Sequence, residues 1–165
     1  MTEGLAAQAL RLCREKGLTV AAAESCTGGM IASRITGVPG ASQVFLGGVV
    51  SYTNGVKEQV LHVPRSLLTL CGAVSAPVAR AMAMGVRLLT GADIAVAVTG
   101  LAGPDGDDRG NPVGTVFVAL SAGTEIQVRQ LALTGSREDI RRQSTDNALE
   151  MICSCAACAE EKIKE

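Results

Sequence analysis

The sequence predicts a three-layer α/β/α sandwich on a mixed sheet. Short apolar runs alternate with helical patterns through the first part of the chain, as in parallel strands joined by crossover helices. The run "DIAVAVTG" has almost no polar alternation, which suits a strand covered on both faces. Two later strand patterns, "VGTVFVAL" and "TEIQVRQLAL", are separated only by a Gly-containing turn, which reads as an antiparallel hairpin.

The elements follow in order. A first helix is expected from a cap at Thr2 to about Lys16, with Leu5, Ala9, Leu12 and Cys13 on one face and Gly17 as its stop. "LTVAAAE" is a short buried strand, and "SCTGG" turns from it into a helix over about Gly28 to Ile35. "TGVPGAS" has the composition of a loop. In the strand "VFLGGVVSY", Gly47 and Gly48 either weaken the ladder or let another group approach the backbone. Asn54 is placed to cap a short helix, "GVKEQVLHV", that ends before Pro64. Ser75-Ala76-Pro77 opens a helix to about Thr90, with Val78, Met82, Val86 and Leu89 as its apolar residues. After "DIAVAVTG" comes "LAGPDGDDRGNP", longer than a loop usually is unless it has a function. The hairpin turns near Ala122-Gly123, and a last helix runs from near Ser136 almost to the end. There is no internal repeat or linker, so residues 1–165 read as a single domain.

Composition narrows the function classes. With 47% hydrophobic and 19% charged residues among 165, the chain can bury a core and is not disordered. Aromatics make up 2% and Trp is absent, so no aromatic platform for stacking bases exists. Fifteen Lys and Arg against sixteen Asp and Glu leave a net charge of −1, and nucleic acid is not an expected partner. No apolar run approaches the ~20 residues of a membrane span. The charged N-terminal helix does not resemble a signal peptide. Six scattered cysteines (Cys13, Cys26, Cys71, Cys153, Cys155 and Cys158) do not form a secreted disulfide framework, so a cytoplasmic protein with reduced thiols is expected.

"AESCTGG" offers Ser25, Cys26 and Thr27 as nucleophiles, or a Gly-rich turn for a phosphate. A Ser-His-Asp triad would need the lone histidine, His62, which sits beside Pro64, and the G-x-S-x-G elbow is missing. Cys155 and Cys158, at i and i+3, are half of a zinc set at best, and they read equally as small buried residues. No metal and no cofactor are expected. A serine without histidine needs another base, and a desolvated lysine can act as one. "SYTNGVK" places Tyr52 at a strand end and Lys57 about one helical turn further on. Both strand ends can meet at the carboxyl edge of the sheet, where α/β domains bind ligands. Taken alone, the motif reads as readily as a surface lysine beside a strand-terminal tyrosine. Backbone N–H groups after Thr99-Gly100 can hold an anion. Arg137 and Arg141 of "GSREDIRR" either pair with a phosphate at a helix start or belong to a solvated charged face.

Together "AESCTGG" with "ITGVPGAS", "GGVVSYTNGVK", "GAVSAPVARAMA", "AVTGLAGPDG" with "NPVGTV", and "GSREDIR" resemble the C-terminal domain of the competence/damage-inducible CinA family, in family order from about Leu5 to Leu149. This domain is also the stand-alone nicotinamide-nucleotide amidohydrolase. The resemblance implies a mixed five-stranded sheet, a homo-oligomer, no metal, and hydrolysis of nicotinamide mononucleotide to nicotinate mononucleotide and ammonia. It implies Ser25 as nucleophile, Lys57 as base and Tyr52 as a hydrogen-bonding bridge between them. Thr27, Gly28, Gly47, Gly48, Thr99, Gly100, Arg137 and Arg141 are the expected substrate-binding residues, the two arginines on the 5′-phosphate. The oxyanion hole is expected in the Cys26–Gly29 turn or the Thr99-Gly100 loop. Because the chain begins at Met1, directly on the domain, it is expected to stand alone, which favours an enzyme. The alternative is a non-catalytic nucleotide-binding module linked to competence or DNA damage. Two departures stand out: Asp105 to Asp107 where the family commonly has "GPGG", and Asn111 where it commonly has lysine. The cysteine-rich tail is a further difference.

Overall fold

The computed structural model describes residues 4–160. In chain order the elements are α1 (Leu5–Lys16), β1 (Val20–Glu24), α2 (Met30–Thr36), a 3-10 turn (Ala41–Gln43), β2 (Phe45–Val50), α3 (Asn54–Gln59), α4 (Arg65–Cys71), α5 (Ala76–Thr90), β3 (Ile94–Gly100), β4 (Thr115–Ala122), β5 (Glu125–Ala132) and α6 (Arg137–Cys158). The sheet order is β2-β1-β3-β4-β5, with β1 parallel to β2 and β3, and β4 antiparallel to both its neighbours. This is the expected sandwich on a mixed five-stranded sheet. The connection leaving β1 runs to one side of the sheet and that leaving β3 to the other, so a crevice opens beyond the carboxyl ends of these two adjacent strands.

Strand alternation divides the core in two. Val20, Ala22, Ile94, Val96, Val98, Val116, Val118 and Leu120 pack with α1, α2 and α6. On the opposite face, Ala21, Ala23, Ala95, Ala97 and Ala119 meet the Val78, Met82 and Val86 stripe of α5. A sheet face of alanines lets a helix approach closely, which is how so aromatic-poor a chain fills its interior. Gly85 continues the theme on the outer side of α5. A Cβ there would stand 2.0 Å from the Leu61 carbonyl oxygen. Gly85→Ala is therefore expected to destabilise the fold by at least about 2 kcal/mol, because the obstruction is backbone and cannot rotate away. Chemical denaturation measures this directly.

Several sequence expectations shift. The Thr2 cap lies outside the described residues, and α1 begins after Gly4. Gly28 and Gly29 belong to the turn before α2 because both have positive φ, +58° and +98°. Thr53, not Asn54, caps α3: its hydroxyl accepts the Val56 N–H at 3.4 Å, and Asn54 is already helical. That helix stops at Gln59, short of the expected end, and His62 sits in the left-handed region (φ 55°). Leu89 is 53% exposed because α5 has passed the edge of its packing surface there. α4 was not anticipated: seven residues are too few for a periodic signal. It is fastened from outside by Arg109, whose guanidinium donates to the carbonyls of Thr69 and Leu70 at its C-terminal end. Ser75 and Ser136 cap α5 and α6 as expected, and Ser136 forms a reciprocal capping box with Asp139. Among the described residues no helix is long and apolar enough to cross a membrane.

Candidate active site

Ser25 is delivered by the end of β1 to the crevice beside β3, where its N–H donates to the Val98 carbonyl at 3.0 Å. The turn that follows is built around Glu24, a residue that sequence reasoning passed over. Its side chain is 1% exposed and folds back beneath the turn. Its carboxylate accepts the N–H groups of Gly29 (3.0 Å), Ile31 (3.1 Å) and Ala32 (2.9 Å). These are donors that the first turn of α2 cannot satisfy internally, and the negative charge suits the positive end of the helix. The Gly28 N–H returns to the Ser25 carbonyl at 3.1 Å, closing the turn.

Lys57 arrives from the neighbouring strand. The Ser51 N–H, just past β2, donates to the Glu24 carbonyl at 2.8 Å, which ties the two strand ends together. From α3 the Lys57 side chain reaches back into this junction. Its Nζ donates to the Ser51 carbonyl at 2.6 Å and lies 3.0 Å from Ser25 Oγ. Lys57 is 1% exposed. Burial lowers its pKa from 10.5 to about 8, with Cys26 acting weakly in the other direction. Of the two open readings, a buried lysine on the serine is the one found. The Cys26 thiol is pushed up to about 11 by its own burial, so it stays protonated at neutral pH and is a poor nucleophile.

A cavity of about 210 Å³ opens over this pair, lined by Ser25, Cys26, Tyr52, Asp105, Arg137 and the loop from Gly100 to Gly103. Tyr52 stands at its rim, and its hydroxyl accepts a hydrogen bond from Arg137 Nη2 at 3.2 Å. The Ser25–Lys57 contact is direct, so the bridging hydrogen bonds expected of Tyr52 are not those of this structure; its hydroxyl is bonded to the arginine. Arg137 also donates to the Gly103 carbonyl, which fastens the long loop to the start of α6.

The remaining expected binding residues separate into two groups. Gly100 and Arg137 line the cavity. Thr27, Gly28, Thr99, Gly47, Gly48 and Arg141 do not line it. Thr27 is fully buried, and its hydroxyl has no hydrogen-bond partner among the described residues. Gly28 supplies the left-handed step of the turn. The Thr99 hydroxyl donates to the Ala73 carbonyl at 2.8 Å, holding the segment before α5. Gly47 and Gly48 lie within β2, and what approaches Gly48 is the strand beside it: an added Cβ would be 2.9 Å from the Ala22 carbonyl oxygen. Arg141 donates to the carbonyls of Cys26 (3.1 Å) and Thr27 (3.0 Å), so its guanidinium holds the turn that follows Ser25.

Of the departures from the family pattern, Asp105 lines the cavity, while Asp107 and Asn111 form one unit. Asn111 donates to Asp107 through both its backbone N–H (2.9 Å) and its side-chain amide (2.8 Å), a staple inside the loop and outside the cavity wall. Cys153 packs in the α1–α6 core with Cys13, which accounts for part of the cysteine-rich tail as packing. Among the described residues no group of three or more His, Cys, Asp or Glu side chains is arranged to hold a metal ion.

The chain is similar to known proteins in sequence and fold. The chain is 53% identical over 142 residues to a CinA-like protein of Geobacter sulfurreducens, which covers 86% of the chain and 34% of that protein. It is 54% identical over 130 residues to a CinA-like protein of Geotalea uraniireducens, covering 79% and 31%. The chain thus spans about a third of the length of these relatives. Among solved structures, competence damage-inducible protein A of Klebsiella pneumoniae superposes with a TM-score of 0.92 at 31% identity, covering 94% of this chain and 97% of that one. The competence/damage inducible protein CihA of Agrobacterium tumefaciens gives 0.85 at 38% identity, covering 93% and 97%. The model of the CinA C-terminal domain matches residues 2–156, nearly everything from α1 to the end of α6. A match of that extent, over a fold shared with those two structures, places the chain in the CinA C-terminal domain family.

Proposed function

We propose that this domain hydrolyses the carboxamide of nicotinamide mononucleotide, giving nicotinate mononucleotide and ammonia, with Ser25 as nucleophile and Lys57 as its base. The observation that carries this reading is the buried Lys57 Nζ, 3.0 Å from Ser25 Oγ, with its pKa lowered to about 8. Neutral Lys57 keeps one N–H on the Ser51 carbonyl while its lone pair takes the serine proton. Ser25 Oγ attacks the carboxamide carbon, and the proton held by Lys57 passes to the departing ammonia. Water then hydrolyses the nicotinoyl-serine ester by the same base, restoring the serine. The cavity is smaller than the ~300–1,000 Å³ usual for drug-sized ligands, so the ring and its amide fill it and the ribose phosphate stays at the rim. Arg137 stands there beside Tyr52, the side chain with which the resemblance associates catalysis. The reading needs no metal or cofactor, and it places the protein in the cytoplasm with reduced thiols, as a homo-oligomer.

Ammonia release from nicotinamide mononucleotide, followed across pH, tests the reading. Since the base works only when neutral, kcat/KM is expected to rise with pH through about 8 and level off above it. Ser25→Ala is expected to remove the activity at every pH. Full activity in that variant, or a flat profile between pH 6 and 10, would sink the mechanism. Binding of the mononucleotide without turnover would instead support the non-catalytic module, the role left open by relatives in which this domain is one third of a longer chain.

A further inference from the structure

We propose that Arg141 sets the turn that carries the Cys26 N–H as an oxyanion-binding donor, and does not hold the substrate's phosphate. The inference rests on the serine–lysine amidase reading, and deepens it by assigning a positioning residue to that site.

The hydrogen bonds of the nucleophile turn lead to this assignment. The N–H of Ser25 is held by Val98, that of Gly28 by Ser25 and that of Met30 by Thr27. Those of Gly29, Ile31 and Ala32 all end on the Glu24 carboxylate. Among the described residues of the turn, the N–H groups of Cys26 and Thr27 lie outside this internal set; Thr27 is fully buried away from the cavity, whereas Cys26 lines it and immediately follows the nucleophile. An amide carbonyl attacked by Ser25 becomes an oxyanion, and N–H donors next to the nucleophile are a common way to receive one.

Arg141 fixes the residue that carries this donor. Its Nε holds the Cys26 carbonyl from behind the turn, so a rotation of Cys26 that took its N–H from the cavity would break that bond. Nη2 on the Thr27 carbonyl fixes the next peptide as well. The guanidinium lies flat against the turn: a Cβ at Gly28 would come within 3.3 Å of Arg141 Nη2. Arg137, four residues earlier on α6, lines the cavity, whereas Arg141 does not. The pair expected to clamp one phosphate therefore divides into a rim residue and a residue behind the turn.

The two roles differ in kinetics. Arg141→Ala, Arg141→Lys and the unchanged protein are assayed for ammonia release from nicotinamide mononucleotide and from the phosphate-free nicotinamide riboside. A positioning residue predicts kcat lower by about 10²-fold in Arg141→Ala, by the same factor for both substrates, with KM little changed. Arg141→Lys recovers part of the loss, and added guanidine recovers part of it in Arg141→Ala. A rise in KM for the mononucleotide alone, with kcat preserved, would restore the phosphate clamp and overturn the proposal.

A second probe is independent of turnover. Pyridine-3-boronic acid takes Ser25 Oγ onto boron, the serine proton passes to Lys57, and the boron becomes a tetrahedral anion resembling the intermediate. Arg141→Ala is expected to weaken this adduct at least tenfold while leaving affinity for nicotinate mononucleotide within about threefold. Equal weakening of both ligands would mark a merely structural role and overturn the assignment. If Arg141→Ala fails to fold, Arg141→Lys carries both comparisons, with an intermediate loss expected. A wild-type protein that releases no ammonia yet takes the boronate in an Arg141-dependent way would refute the amide substrate and keep the positioning role. One that does neither refutes both.

Discussion

Lys57→Met is expected to remove ammonia release, by at least ~10³-fold, while making the protein more stable below pH 8. The loss of activity follows from the site, where Lys57 is the one base hydrogen-bonded to Ser25 Oγ among the described residues. The gain follows from what the lysine costs. Its pKa is about 8 in the fold and 10.5 when unperturbed. Below pH 8 it is charged in both states, and the folded state carries the full penalty of holding an ammonium out of water. That penalty is on the order of 3 kcal/mol by proton linkage, an upper bound. Between pH 8 and 10.5 the unfolded chain binds the proton more tightly, so the wild-type protein gains stability as pH rises through that window. Methionine fills similar space without charge but leaves the Ser51 carbonyl without its donor. The net gain expected at pH 7 is about 1–2 kcal/mol, or a few degrees in Tm. It should vanish at about pH 9 and reverse by pH 10.5, where the wild-type protein has regained the full ~3 kcal/mol. Thermal melts of both proteins at pH 7 and pH 10 check it; a less stable variant at pH 7 would show that the pocket is not strained by the charge.

Glu24→Ala is expected to do the reverse, costing at least about 3 kcal/mol and taking activity with it. Three backbone donors at the start of α2 end on this one buried carboxylate, and alanine would leave all three without it, the Ile31 N–H in a fully buried place. The turn carrying Ser25 would lose its floor, and the Ser51, Val98 and Arg141 contacts could not hold it alone. Glu24→Gln keeps the shape and one acceptor oxygen, but its amide NH₂ faces N–H groups, so an intermediate loss is expected. Denaturant titration of the three proteins gives the order. Alanine matching wild type would mean that the turn is held from elsewhere.

Much of this fold was legible because each signal was local. The uninterrupted run in β3, the Ser75-Ala76-Pro77 start of α5 and the Ser136 box of α6 each declare themselves within a few residues. The meeting of Ser25 and Lys57 was legible in part: two strands ending at one edge could bring them together, though no spacing in the chain requires it. Most of the misplaced residues have partners far away in sequence. Arg141 reads as a phosphate ligand or a surface cation until α6 is laid behind the turn after Ser25. Gly48 reads as a ligand approach until β1 is placed beside it. Glu24 reads as the polar end of a strand, since nothing in "AAAESC" says that its side chain turns back under the next helix. α4 depends on Arg109, which arrives from the long loop after β3.

The aromatic poverty that forces alanines against α5 also affects how this protein can be observed. The chain has no tryptophan and one tyrosine. That tyrosine is Tyr52, 58% exposed and hydrogen-bonded to Arg137 at the mouth of the cavity. Tyrosine emission from the molecule therefore comes from a single place, the mouth of this cavity. Ligand entry, displacement of Arg137 or movement of the loop would change that light without any label or engineered probe. By the same token, this emission senses changes in the interior only as far as they reach that mouth.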